Sequence, residues 1–202
     1  MATYRGEEKS GKIGDVIYSS WHGRPYVRRR PEAVANPQTE AQQGHRYAFA
    51  AISKLSSDLK SAHLIGLHKS AQKEKLNTHS LFRKINKGCY SPDGIDYARV
   101  VVSKGPLDAV GIISAEVDDQ RVLRLTFEGH LTLKNRNDKF HLSVYCPDLR
   151  DCRLARPVLR SEGLVAVDLP AEWTGHDLHI YAFLCDRVQR TSGTMYAMIA
   201  AK

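Results

Sequence analysis

Lys139-Phe140-His141-Leu142-Ser143-Val144-Tyr145-Cys146 and Leu178-His179-Ile180-Tyr181-Ala182-Phe183-Leu184-Cys185-Asp186 decide the fold class. In the first run Phe140, Leu142 and Val144 occupy every other position; in the second, Leu178, Ile180, Ala182 and Leu184 do so. A period of two places successive side chains on opposite faces of an extended strand. Working outward, residues 97–103, 110–117, 121–128, 152–159, 164–169 and 193–200 also read as strands. Asp118-Asp119, Asn135-Arg136-Asn137-Asp138, Ser161-Glu162-Gly163 and Trp173-Thr174-Gly175 supply the turns between them. Short strands at this regular spacing predict an antiparallel β-sandwich of immunoglobulin or fibronectin type III kind over residues 93–202.

Upstream of 93 the period lengthens. Ala48, Ile52, Leu55, Leu59 and Ala62 recur at steps of four and three, which is one apolar face of a helix. Thr39 is placed as its N-cap, with Gln42 three residues on and Glu40 in the first turn. Gly66 is placed to end or bend it. A second helix is expected from an N-cap at Thr78, with Leu81, Phe82 and Ile85 inward and Gly88 as the glycine past its end. Before the helices, residues 13–18 and 25–30 read as a hairpin turned by Trp21-His22-Gly23-Arg24, followed by an extended connector broken by Pro31, Asn36 and Pro37. The expected class is α+β: a basic hairpin-plus-helix region over 1–92, then the sandwich.

The chain has 202 residues and a net charge of +8. Residues 1–90 hold 16 Lys/Arg against 7 Asp/Glu, and residues 91–202 hold 14 against 15. The surplus therefore belongs to the first half. No apolar run reaches the length of a membrane-spanning helix. The first residues carry no apolar stretch of a secretory signal, so the protein is expected in the cytoplasm, or in a particle assembled there. Cys89, Cys146, Cys152 and Cys185 form no Cys-x-x-Cys pair and read as free thiols.

No chemistry-bearing motif survives inspection. Gly6-Glu7-Glu8-Lys9-Ser10-Gly11-Lys12-Ile13 matches the start of a phosphate-binding loop, but Ile13 stands where Ser or Thr must hold Mg²⁺. His176-Asp177-Leu178-His179 and His63 with His68 are the closest histidine groupings, and neither has the three or four converging ligands of a metal site. No nucleophile elbow is present. The expectation is a non-enzymatic protein with no catalytic residue, cofactor or metal.

The densest positive cluster is Arg24-Pro25-Tyr26-Val27-Arg28-Arg29-Arg30-Pro31, beside Trp21. On a strand, Arg28 and Arg30 share one face and Arg29 takes the other. Arginines interleaved with aromatics suit a protein interface, or phosphate and base contacts on nucleic acid, or a charged edge that keeps sheets apart. Trp21, Arg24, Tyr26, Arg28, Arg29 and Arg30 are therefore the candidate contact residues. The partners they fit are a further copy of the chain, other assembly proteins, or nucleic acid, with Lys69, Lys73, Lys84 and Lys87 joining in the last case.

The run Ser10-Gly11-Lys12-Ile13-Gly14-Asp15-Val16-Ile17-Tyr18-Ser19-Ser20-Trp21-His22-Gly23-Arg24-Pro25-Tyr26-Val27-Arg28 resembles the N-terminal signature of a family of uncharacterised proteins common in Bacteroidota genomes. The likeness continues through Asn36-Pro37-Gln38-Thr39-Glu40-Ala41-Gln42-Gln43 and in Leu169-Pro170-Ala171-Glu172-Trp173-Thr174-Gly175. The N-terminal segment is also similar to phage and prophage proteins. The resemblance implies a structural or assembly component of a phage-type particle and carries over no catalytic residue.

Overall fold

Two turns set the N-terminal architecture. The computed structural model describes residues 3–5, 8–21, 23–33, 38–128, 132 and 135–201. Strands β1 (Thr3–Arg5), β2 (Glu8–Ile13), β3 (Val16–Trp21) and β4 (Arg24–Arg29) form an antiparallel meander in that order. Gly14, at φ +57°, opens the two-residue turn joining Ile13 to Val16, and Gly23, at φ +78°, precedes Arg24. Glycine takes this left-handed backbone without a Cβ clash, and it matches the twist of a hairpin. The expected hairpin is thus β3 and β4, the last two strands of a four-stranded sheet, and Gly14 splits the 13–18 run between β2 and β3. The phosphate-loop-like run continues into β2 instead of opening a helix. Its Gly6 and Glu7 lie outside the described residues, as do His22, Asn36 and Pro37 of the expected turn and connector.

The chain divides into two compact units, Met1–Gln42 and Gln43–Lys202. The 92/93 position, where the sequence changes period, lies within the second.

Helix α1 (Glu40–Asp58) begins where Thr39 Oγ1 accepts from the Gln42 N–H at 3.4 Å. Helices α2 (Lys60–Gly66) and α3 (His68–Lys73) follow, with breaks at Leu59 and Leu67. Ile52, Leu55, Leu59 and Ala62 are buried as the period requires. Helix α4 (Thr78–Asn86) is capped one residue earlier than expected: Asn77 Oδ1, not Thr78, accepts the Ser80 N–H at 2.7 Å. Thr78 is instead the first helical residue. We expect Asn77→Ala to cost about 1 kcal/mol, the usual loss for such a cap. Urea denaturation checks this, and an unchanged midpoint would remove Asn77 from the account. Gly88 is not a left-handed cap either; it sits in a 3-10 turn, Lys87–Cys89.

The short pair β5 (Tyr90–Ser91) and β6 (Gly94–Ile95) leads to the largest departure from expectation. Residues 97–103 are not a strand but a 3-10 turn, Tyr97–Arg99, and an extended segment. Val100 and Val102 are buried, so the alternation is real. Side chains stand in for the missing neighbour strand. Asn86 accepts from Val101 N at 2.8 Å and donates to Val101 O at 2.9 Å. Thr194 Oγ1 accepts from Val102 N and Ser103 N at 2.9 and 2.8 Å.

The sandwich then forms from β7 (Ile112–Val117), β8 (Val122–Phe127), β9 (Lys139–Cys146), β10 (Asp151–Leu154), β11 (Val158–Leu159), β12 (Leu164–Asp168), β13 (Leu178–Cys185) and β14 (Met195–Ile199). One sheet runs β12-β8-β7 and the other β10-β9-β13-β14, with β11 also on β9. Its first, second and fifth main strands share one sheet and the rest share the other, an immunoglobulin-type order. The sequence run 152–159 is two strands on one edge of β9, not one. Leu123, Leu125, Phe140, Leu142, Val144, Ile180 and Leu184 fill the space between the sheets, with Phe127 and Phe140 stacked at 3.9 Å.

The second face of β9 and β13 is buried as well. Tyr145, Tyr181 and Phe183 share a separate apolar cluster with Leu55, Leu59, Leu67, Leu81 and Phe82 of the helical segment. All eight residues of β13 are consequently buried. The second unit is thus a helical layer on a two-sheet sandwich.

Candidate docking surface

The register of β3 and β4 fixes the placement of the basic cluster. Trp21 pairs with Arg24, Ser19 with Tyr26, and Ile17 with Arg28. By the strand period Arg24, Tyr26 and Arg28 share one face, while Pro25, Val27 and Arg29 share the other. Lys12, opposite Ile17, joins the Arg face; Ile13, opposite Val16, joins the Val27 face. Arg30 lies just past β4, where its N–H donates to Asp15 O at 2.6 Å. The structure therefore groups Arg24, Tyr26 and Arg28, with Arg29 on the reverse side.

Every residue of β4 is exposed. Val27 at 55%, Ile13 at 48% and Tyr26 at 44% leave large apolar groups in water. Among residues 10–42 whose side chains are described, none is buried. Arg29 meets Glu32 at 3.0 Å, a surface pair of little energetic weight. Arg24, Arg28 and Arg30 have no acidic partner among the described residues. With no buried side chain among those described, this sheet has little of its own apolar burial to hold it against chain entropy.

The helical segment carries more charge than the sheet. Residues 43–90 hold nine Lys/Arg and two Asp/Glu. Both acids are engaged: Glu74 by Lys84 at 2.6 Å, and Asp58 by Arg150 at 2.9 Å and by the Tyr145 hydroxyl at 3.0 Å. Lys69, Lys73 and Lys87 are exposed on this segment.

The remaining clusters are structural in character. Ser56 Oγ lies 2.9 Å from His79 Nδ1 and 3.3 Å from His63 Nε2, a trio invisible to sequence spacing because it draws on α1, α2 and α4. Ser56 and His63 are 1% and 0% exposed, so no substrate reaches the hydroxyl. His176 meets Asp148 at 2.8 Å, and His179 meets the Tyr196 hydroxyl at 2.7 Å. Among the described residues no group of three His, Cys, Asp or Glu side chains is placed to hold a metal ion. All four cysteines are unpaired thiols. Burial pushes Cys152 up to about 12 and also raises Cys89 and Cys185, which keeps these three thiols protonated and poor nucleophiles near neutral pH.

A family model described as a family of unknown function (DUF6266) matches residues 8–196. No curated protein matches the chain.

Proposed function

The chain belongs to the family of unknown function DUF6266, and we propose that it is a non-enzymatic structural protein that assembles by docking its basic N-terminal sheet on a neighbouring subunit. One observation carries this reading: β4 is exposed along its whole length while Arg24 and Arg28 flank Tyr26 with no acidic partner among the described residues. Arginine and tyrosine are the residues that interface cores enrich, and an arginine with no acidic partner among the described residues suits an acidic one on a neighbour. The second unit, with a core on both sides of β13, is well packed in its own right. The resemblance of the pattern from Gly11-Lys12 through Val27-Arg28-Arg29 to Asn36-Pro37-Gln38-Thr39 to phage and prophage proteins supports a place in a phage-type particle.

Arg24→Ala with Arg28→Ala should weaken association about tenfold, and the wild-type association should fall with added salt. Sedimentation across a concentration series measures both. A protein that stays monomeric at high concentration and low salt, with or without the substitutions, would refute self-assembly through this sheet.

The charge of the helical segment favours a second reading, nucleic-acid binding through Lys69, Lys73, Lys84 and Lys87 together with the arginines. It requires an affinity for duplex or single strands that drops steeply with salt through counterion release. Absence of binding at low salt would dispose of it.

A further inference from the structure

We infer that a cleft along the β7 and β14 side of the sandwich is the acceptor for the Arg24–Arg29 strand of a second copy of this chain. The inference rests on the docking role proposed for that strand and names its partner. The cleft has a volume of about 680 Å³; Val117, Leu169, Trp173, Leu178 and Ile199 give it an apolar floor, and Glu116 and Asp119 stand on its rim. That is the size and composition of a binding pocket, apolar inside with a few polar groups at the mouth.

The rim charges are free to act. Glu116 and Asp119 are exposed and have no cationic partner among the described residues. Their neighbour Asp118 is already occupied by Arg124 and by the N–H groups of Gln120 and Val122.

Charge complementarity selects the occupant. Arg121 also lines the cleft, but with Asp118 held by Arg124 the two remaining acids, Glu116 and Asp119, outweigh it and leave a net negative rim above an apolar floor, which calls for a segment bearing cations on either side of an amphipathic ring. Arg24, Tyr26 and Arg28 form that segment on one face of β4. Tyrosine buries an apolar body while its hydroxyl stays at the rim, and arginine stems cover apolar surface while their heads reach carboxylates. Backbone geometry agrees. β4, β7 and β14 are all outermost in their sheets, so each presents one edge with no further strand paired to it among the described residues. An extended segment can add to such an edge by strand pairing. A nucleic-acid backbone is repelled by the same rim acids. Donor and acceptor are different patches of one molecule, so the contact is head-to-tail and propagates into rings or filaments.

The test uses the full chain in sedimentation at low salt. Glu116→Lys with Asp119→Lys reverses the acceptor; Arg24→Glu with Arg28→Glu reverses the donor. Each pair is expected to lower association at least about tenfold. Mixing the two variants is expected to recover association, since each retains one intact half; recovery also shows that both fold. If the arginine variant loses association and the acidic variant keeps it, the cleft is not the acceptor, though the docking reading stands. If neither changes, both fail. If the acidic variant is unchanged while the arginine variant loses affinity for duplex DNA, the strand serves nucleic acid and the inference is overturned.

Discussion

Replacing Gly66 by alanine is expected to destabilise the second unit by about 3 kcal/mol, the upper end of what overpacking a close contact costs. A Cβ at this position would stand 2.3 Å from Val102 O, 2.8 Å from Ser103 Cβ and 2.9 Å from Ser103 Cα. Two of these are backbone atoms, which cannot swing aside. They are also held: Ser103 N donates to Thr194 Oγ1 at 2.8 Å, and Ser103 Oγ donates to Ser192 O at 2.7 Å. Gly66 O is engaged as well, accepting from Lys104 N at 3.2 Å and from Thr191 Oγ1 at 3.1 Å. Helix α2 can move away only by breaking these bonds. For a domain of this size the loss corresponds to a drop of about 6–12 °C in Tm. Gly88→Ala is the matched control, because a Cβ there meets nothing within 4 Å. Thermal unfolding of both variants decides the matter. Equal midpoints would mean that the helical layer does not approach the sandwich this closely.

That contact explains what sequence could and could not reveal. The core between the sheets was legible because Phe140, Leu142 and Val144 alternate strictly, as do Leu178, Ile180, Ala182 and Leu184. The opposite face of β13 was not, because Tyr181 and Phe183 are amphipathic or aromatic residues that serve a covered or a half-exposed face equally well. Recognising their burial requires knowing that α1, α2 and α4 lie over them, a contact more than 80 residues distant in sequence; the Tyr145 hydroxyl on Asp58 is one such link. Segment 97–103 misled for a different reason. Its alternation is that of a strand, but its hydrogen-bond partners are the side chains of Asn86 and Thr194.

The candidate docking surface was half legible. Residue types alone marked Arg24 to Arg30 as a cluster, and the strand period predicted alternate faces. The register moved the grouping: Tyr26 sits between Arg24 and Arg28, and Arg30 falls beyond the strand. The acidic rim of Glu116 and Asp119 carried no sequence signal beyond an ordinary hairpin turn. Its meaning comes from the apolar floor beneath it, which the fold gathers from β7, β13, β14 and the loop holding Trp173.

The second large effect is on acid stability, and it centres on His63. This side chain is fully buried, with its Nε2–H donating to Ser56 O at 2.8 Å and its Nδ1 without a partner. Burial, more than any other influence, pulls its pKa from 6.5 down to about 4; the Ser56 carbonyl opposes the shift, while His79 on α4 and Lys60 on α2 reinforce it. The neutral ring is therefore the form the fold accepts. In the unfolded chain the ring takes up its proton near pH 6.5, so unfolding is coupled to proton uptake wherever the pH lies between the two values. The stability held in full above pH 6.5 is lost as the pH falls toward 4: about 2 kcal/mol by pH 5 and about 3 kcal/mol by pH 4 from this residue alone. His141, whose ring stacks on Phe183 at 5.1 Å, is likewise pulled down to about 4 by burial and adds in the same direction. Urea denaturation of wild type and His63→Gln across pH 7.5 to 4 separates the terms. The variant starts less stable at neutral pH, because glutamine cannot fill the site against Phe82, but its further loss on acidification should be smaller by those amounts. Parallel curves for the two proteins would show that His63 is not what ties the helical layer to pH, and the unmet Nδ1 would then need another explanation.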